Sequence, residues 1–294
     1  MPKVIRPILP PQAESRVVVY TKLTRAIASV FVAVSRASLP FLLYRVWRAT
    51  DPPITPPMLF VLLVILTIVP GLAGWLIARF ARATVDVDSG EMTVRRAHVE
   101  LAFPATAIDG VEPWRVPLPG PGFSLRMRSG RLAGYGIQSA DPLPLLREIA
   151  RDVKAPRDLS ELTQHPVVAW AHARAGEAPT HWFGYIGKFG LFALPVAGIL
   201  FNAHQHIAYG GFWGQYYLEG PGPYARTAAV HFATVVAYLV LYAGTVRAIG
   251  ETFAFAAAHV APTSASRVRR VVERFCLLAY YLGVPILLAL RFRP

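Results

Sequence analysis

Residues 84–153 read TVDVDSGEMTVRRAHVELAFPATAIDGVEPWRVPLPGPGFSLRMRSGRLAGYGIQSADPLPLLREIARDV, the one long run in which apolar and polar residues alternate. Val85 and Val87 alternate with Asp86 and Asp88, and Met92 and Val94 with Glu91, Thr93 and Arg95. A period of two is that of a strand with one buried face. Between these runs Asp88-Ser89-Gly90 supplies a hairpin turn, since glycine accepts positive φ. The alternation returns at Val99, Leu101 and Phe103, at Phe123, Leu125 and Met127, and, after a turn at Ser129-Gly130, at Tyr135 and Ile137. Then the period changes. Asp141 is a good N-cap, Pro142 suits the first helical position, and Leu145, Leu146, Ile149 and Val153 form one apolar stripe. The stretch predicts a small antiparallel β domain closed by one helix.

On either side the sequence is apolar. Of the whole chain 54% is hydrophobic and 16% charged, a balance tilted away from soluble globular proteins. Residues 58–80, MLFVLLVILTIVPGLAGWLIARF, are long enough to cross about 30 Å of hydrocarbon. Pro70, Gly71 and Gly74 are expected to kink this span or admit a close neighbour. Residues 26–47 form a second span despite Arg36 near its centre, and 182–203, 228–246 and 271–290 form three more. Residues 81–183 carry twelve Lys or Arg, the segment before residue 26 five, the loop 247–274 five, and 203–225 none. The positive-inside rule therefore predicts five spans. It puts the N-terminus, the β domain and the 247–274 loop in the cytoplasm, and the loop 204–225 outside. Trp182, Tyr185, Tyr209, Trp213, Tyr216, Tyr217 and Tyr224 fall where interfacial anchors belong. The chain thus divides into a tail with two helices (1–83), the β domain (84–155), a connector broken at Pro166 (156–181) and three further helices (182–294).

Net charge is +13 and the isoelectric point about 10.3, but the long apolar runs attribute that charge to a membrane surface and not to nucleic acid. The lone cysteine, Cys276, rules out an internal disulfide and a multi-cysteine metal site. Residues 1–25 lack the compact apolar core and cleavage site of a signal peptide.

Short antiparallel strands closed by an amphipathic helix resemble the pleckstrin-homology-like (PH-like) superfold. With its flanking spans the chain looks like a membrane protein of the bacterial PH-like domain group. Two features carry the resemblance: the run from Phe103-Pro104 through Ile108 and Val111 to Val116-Pro117, and the hairpin 123–131 with the strand and Asp141-capped helix after it. The resemblance implies a partly open barrel acting in assembly or peripheral recognition, and it supplies no catalytic residues.

Candidate sites are few. Arg95, Arg96, Arg126, Arg128 and Arg131 would make a basic, lipid-facing surface if neighbouring strands align them. His204 and His206 in an H-x-H, with His231 on the next span, are the residue types that ligate haem iron or a transition metal. Arg36 is an intramembrane charge that needs a partner, and Arg247 can pair with Glu251 one turn on. There is no G-x-S-x-G, no H-E-x-x-H and no G-x-x-x-x-G-K-[ST], so no catalytic residue is expected. The leading expectation is a non-enzymatic scaffold without a cofactor that contacts lipids and either other subunits or itself through Gly187, Gly190 and Gly198. A haem or metal protein and a small transporter or lipid-handling protein are the rivals.

Overall fold

The structure is a computed structural model, and it describes residues 15–48, 53–88, 90–96, 99–153, 159–177 and 181–291. Strand β1 (Ser15–Thr21) runs without a break into α1 (Lys22–Trp47), and α2 (Pro56–Phe80) follows. Then come β2 (Arg82–Asp88), β3 (Glu91–Arg96), β4 (Val99–Pro104), β5 (Ile108–Pro113), β6 (Gly122–Met127) and β7 (Leu132–Gln138). Helices α3 (Pro142–Val153), α4 (Leu159–Gln164) and α5 (Pro166–Ala175) lead to α6 (Trp182–Tyr209), α7 (Gly214–Glu219), α8 (Pro221–Val260), α9 (Ala265–Tyr281) and α10 (Gly283–Arg291). Two compact units result, one around the sheet and one of helices alone. The sheet unit includes the adjoining ends of α1, α2, α8 and α9.

All seven strands join one antiparallel sheet in the order β4-β3-β2-β1-β7-β6-β5. Five of them, β2, β3, β4, β6 and β7, follow the alternation read from the sequence, and β5 falls in the run through Ile108 and Val111. The seventh, β1, belongs to the segment read as a tail, and it is the middle strand. Its first half pairs with β2 (Ser15 opposite Val85) and its second half with β7 (Thr21 opposite Tyr135). The helical hairpin α1–α2 is therefore an insertion between two neighbouring strands.

Inward residues from the strands make one apolar core: Val17 and Val19, Val85 and Val87, Met92 and Val94, Phe123 and Leu125, all essentially buried. Leu145, Leu146 and Ile149 of α3 close it. Asp141 caps α3 as its position promises, accepting a hydrogen bond from the Leu143 N–H at 3.0 Å. Gly90 and Gly130 take the positive φ their hairpins require, 88° and 76°. The connector breaks at Pro166, and its described residues are packed. Val168 of α5 joins the sheet's core and Trp170 packs edge-on to Phe255 at 5.8 Å. Trp114, in the proline-rich segment between β5 and β6, lies against Gly122 and Gly136, where an added Cβ would meet its ring within 3 Å. Its Nε1–H donates to Ser124 Oγ at 3.1 Å.

Five helical stretches are long and apolar enough to cross a membrane: Lys22–Trp47, Pro56–Phe80, Trp182–Tyr209, Pro221–Val260 and Pro262–Leu290. Each span read from hydropathy lies in one of them, and the helices run further than the apolar windows. Most of the loop expected at 247–274 is helix, and only 261–264 separates α8 from α9. In α2 the disturbance is a π-helical segment, Val64–Ile68, just before Pro70. Proline has no N–H for the preceding turn, so the chain widens there. Within the helical unit, Leu42, Leu59, Leu63 and Leu241 form one apolar cluster, and Ala193, Ala197, Leu239 and Tyr280 belong to another. Val34, Phe41, Ile65, Leu194 and Ile286 are exposed along the same helices.

Two predictions concern the sheet unit. Tyr20 is 1% exposed, its hydroxyl has no hydrogen-bond partner among the described residues, and burial pushes its pKa up to about 12. Tyr20→Phe should leave stability unchanged or raise it by about 1–2 kcal/mol in thermal unfolding of the detergent-solubilised protein, whereas a loss would mean the hydroxyl is paired. His165, before α5, has its pKa lowered by burial and secondarily by His259. A depressed folded pKa means that protonation favours the unfolded chain. Its stabilising contribution is therefore full above the ordinary histidine range and lost as pH falls through about 6.5 toward the folded value. His165→Gln should flatten that acid limb in a pH series of melting temperatures.

Candidate functional site

The five arginines singled out from the sequence do not form one row. Arg95 and Arg96 stand on β3, whereas Arg126 lies on β6, with Arg128 and Arg131 in the turn beyond it. Strands β2, β1 and β7 lie between the two groups. Arg126 is tied to Glu112 on the neighbouring strand at 2.9 Å.

Arg95 and Arg96 instead meet two arginines that sequence reading missed. Pairing puts Arg16, Thr84, Arg95 and Glu100 in one cross-strand row over β1, β2, β3 and β4. The next row sets Val18 opposite Arg82 on one side and Gln138 on the other. Because Val17, Ala83 and Val94 point into the core, this row lies on the opposite face of the sheet. There Arg16, Arg82, Arg95 and Arg96 line a groove of about 1020 Å³ with Thr84 and Gln138. Arg95 Nε donates to Glu100 Oε1 at 3.2 Å, and Arg96 Nη2 to the carbonyl of Phe80, the last residue of α2, at 3.1 Å.

Register also fixes which end of the sheet carries charge. β1 ends at Thr21 against Lys22 of α1, and β2 starts at Arg82, two residues after Phe80. Arg96 ends β3 beside the start of β2, and the Arg128–Arg131 turn lies beyond Tyr135, the partner of Thr21. Arg82, Arg96 and that turn therefore belong to the end from which the helices leave. At that end the guanidinium of Arg25 lies 3.6 Å from the Trp114 ring centroid.

The histidines divide. His204 on α6 and His231 on α8 bring their rings to 4.9 Å, but His206 is exposed and bonds the carbonyl of Asn202 one turn back. On a helix, residues two apart diverge by about 200°, so H-x-H cannot present both rings to one point. Among the described residues no three His, Cys, Asp or Glu side chains come together as a metal site. What organises this region is a network without a sequence signal. Gln205, fully buried on α6, donates to Gln215 Oε1 at 2.8 Å. Gln215 Nε2 in turn donates to Glu219 Oε2 at 2.8 Å and Thr227 Oγ1 at 3.0 Å. Over it Trp213 stacks on Tyr224 at 5.4 Å, so part of the expected interfacial belt is self-packed.

Arg36 stands on an exposed side of α1, between Ser35 and Ser38 in a turn facing Thr67. Ser35 Oγ donates to the Thr67 carbonyl at 2.7 Å, and the Ser38 and Thr67 hydroxyls share a hydrogen bond at 2.7 Å. Arg247 pairs with Glu251 at 3.1 Å, the local pair that the sequence suggests, and also with Glu273 of α9. Gly187 and Gly198 have nothing within 4 Å of where a Cβ would stand.

Searches against protein-family models, curated proteins and solved structures find no match to the chain.

Gln205→Leu should lower the melting temperature of the detergent-solubilised protein by an amount worth about 1–3 kcal/mol, because Gln215 Oε1 loses its donor in a buried place. His206→Ala at the exposed ring should have no measurable effect.

Proposed function

We propose that the chain is a five-span protein of the bacterial cytoplasmic membrane whose sheet unit is a PH-like domain held against the cytoplasmic surface. It serves there as a non-enzymatic scaffold that recognises the membrane surface and assembles with other membrane proteins or with itself. The observation that carries this reading is the junction between sheet and helices. β1 enters α1 with no residue between, and α2 delivers its chain to β2 across Ala81 alone. The sheet continues directly into the adjoining ends of α1 and α2, which supports a place at headgroup level for the end bearing Arg82, Arg96, Arg128 and Arg131, where anionic lipid attracts it. The PH-like assignment is supported by seven antiparallel strands in one sheet followed by one capping helix. The basic segments flanking the five apolar helices support the orientation.

Accessibility labelling tests it. In a Cys276→Ser background, Tyr217→Cys should react with a membrane-impermeant maleimide in intact spheroplasts. Ser129→Cys, in the Arg128–Arg131 turn, should react only after permeabilisation. Labelling of Ser129→Cys in intact cells, or extraction of the protein by alkaline carbonate, would overturn the reading.

A further inference from the structure

The geometry points to the arginine groove as a binding site for a dianionic phosphate, supplied as the headgroup of an anionic lipid such as a phosphomonoester. The inference rests on the membrane-surface reading above and deepens it by naming the ligand.

Four arginines and one glutamate line the groove, together with the hydroxyl of Thr84 and the amide of Gln138. Neighbouring strands lie about 4.8 Å apart, so Arg16 on β1 and Arg95 on β3 stand about 10 Å apart across Thr84, with Arg82 diagonal to both. Guanidinium side chains are long enough to converge from such positions on one phosphate, and their planar forks match its oxygens two at a time. Two of the four are held in place by the chain itself, Arg95 by Glu100 and Arg96 by the Phe80 carbonyl. Each guanidinium carries five donors, so these tethers orient the groups without using up their capacity. An excess of basic over acidic lining favours a doubly charged ligand over a zwitterionic one. Val18, Val99 and Ala140 supply an apolar part of the wall, suited to the glycerol end of a lipid and of no use to a bare ion.

Position selects the source. Arg96 reaches the last carbonyl of α2, and Arg82 follows it by two residues. Phe80 is 75% exposed and Trp75 48%, aromatic residues of the kind that sit at headgroup level. A headgroup in the leaflet around α2 thus lies beside the groove's own arginines.

The test uses the full chain in detergent, which reads the groove whichever way the spans run. Titration with dioctanoyl phosphatidic acid, followed by thermophoresis, should saturate, and dioctanoyl phosphatidylcholine should not bind. Arg16→Gln/Arg82→Gln should weaken phosphatidic acid about 30-fold, which is about 2 kcal/mol for two basic groups. Arg147→Gln/Arg151→Gln, with the same change of net charge on α3, should weaken it less than threefold. Equal binding by the groove variant, or equal loss in the α3 variant, overturns the site. Inorganic phosphate competing at the same concentration as the lipid overturns the lipid source. Inverted cysteine labelling with groove-dependent binding intact would overturn the topology and leave the site standing.

Discussion

One backbone hydrogen bond governs much of the sheet unit: the N–H of Val19 donates to the carbonyl of Ala81 at 2.8 Å. Ala81 is the single residue between α2 and β2, and its own N–H donates back to Ile77 inside the helix at 3.0 Å. The middle strand of the sheet is thereby bonded to the point at which a long apolar helix ends. Beside it, Tyr20, Ala28, Ala81 and Trp114 form a buried cluster, with Arg25 laid over the indole. Strand and helix leave no flexible residue to absorb rotation, so the direction of the sheet follows from the direction of the adjoining ends of α1 and α2. Everything inferred about the charged end depends on that coupling.

The part of the fold that was legible in the sequence is the part whose two faces differ. Strands β2, β3, β4, β6 and β7 have a core side and a side that meets solvent or the groove, so their alternation shows. β1 reads Val-Val-Val-Tyr because both of its faces are used: Val17 and Val19 in the core, Val18 in the groove wall, Tyr20 in the cluster under Trp114. A short apolar run next to a longer one merges with it by periodicity alone. Its partners lie beyond the whole α1–α2 hairpin in sequence, so no local pattern announces them. Missing the strand meant missing the site as well. Arg16 belongs to β1, and Arg82 is the first residue after the junction, so the face that gathers them with Arg95 exists only once the strands are paired.

The helices teach a related lesson about boundaries. Hydropathy locates the lipid-compatible window and is blind to where the helix stops. At about 1.5 Å per residue the 40-residue α8 is about 60 Å long, twice the hydrocarbon thickness. It continues past the apolar window because its charges are met: Arg247 is paired with Glu251 one turn on and with Glu273 on α9. The histidines were read in the opposite sense, as neighbours because they are close in sequence. Helical geometry separates His204 from His206 and joins His204 to His231, the candidate that the sequence places on the next span.

A basic segment beside a membrane span serves orientation in any arrangement, since the positive-inside rule counts Lys and Arg without regard to where they point. Recognition is different, because it needs the charges in fixed relative positions. Here those positions are set by the apolar core. The pairing of Arg16 with Thr84 is the same register that buries Val17 and Val19 on one side and Val85 and Val87 on the other. A slip of β1 by one residue would turn Val17 and Val19 outward and drive Arg16 into the core, at a cost of several kcal/mol for an unpaired buried charge. The sequence therefore cannot keep this core and lose this row of arginines. Orientation alone would be served as well by lysines scattered through the turns, and it gives no reason for a guanidinium at the centre of the sheet.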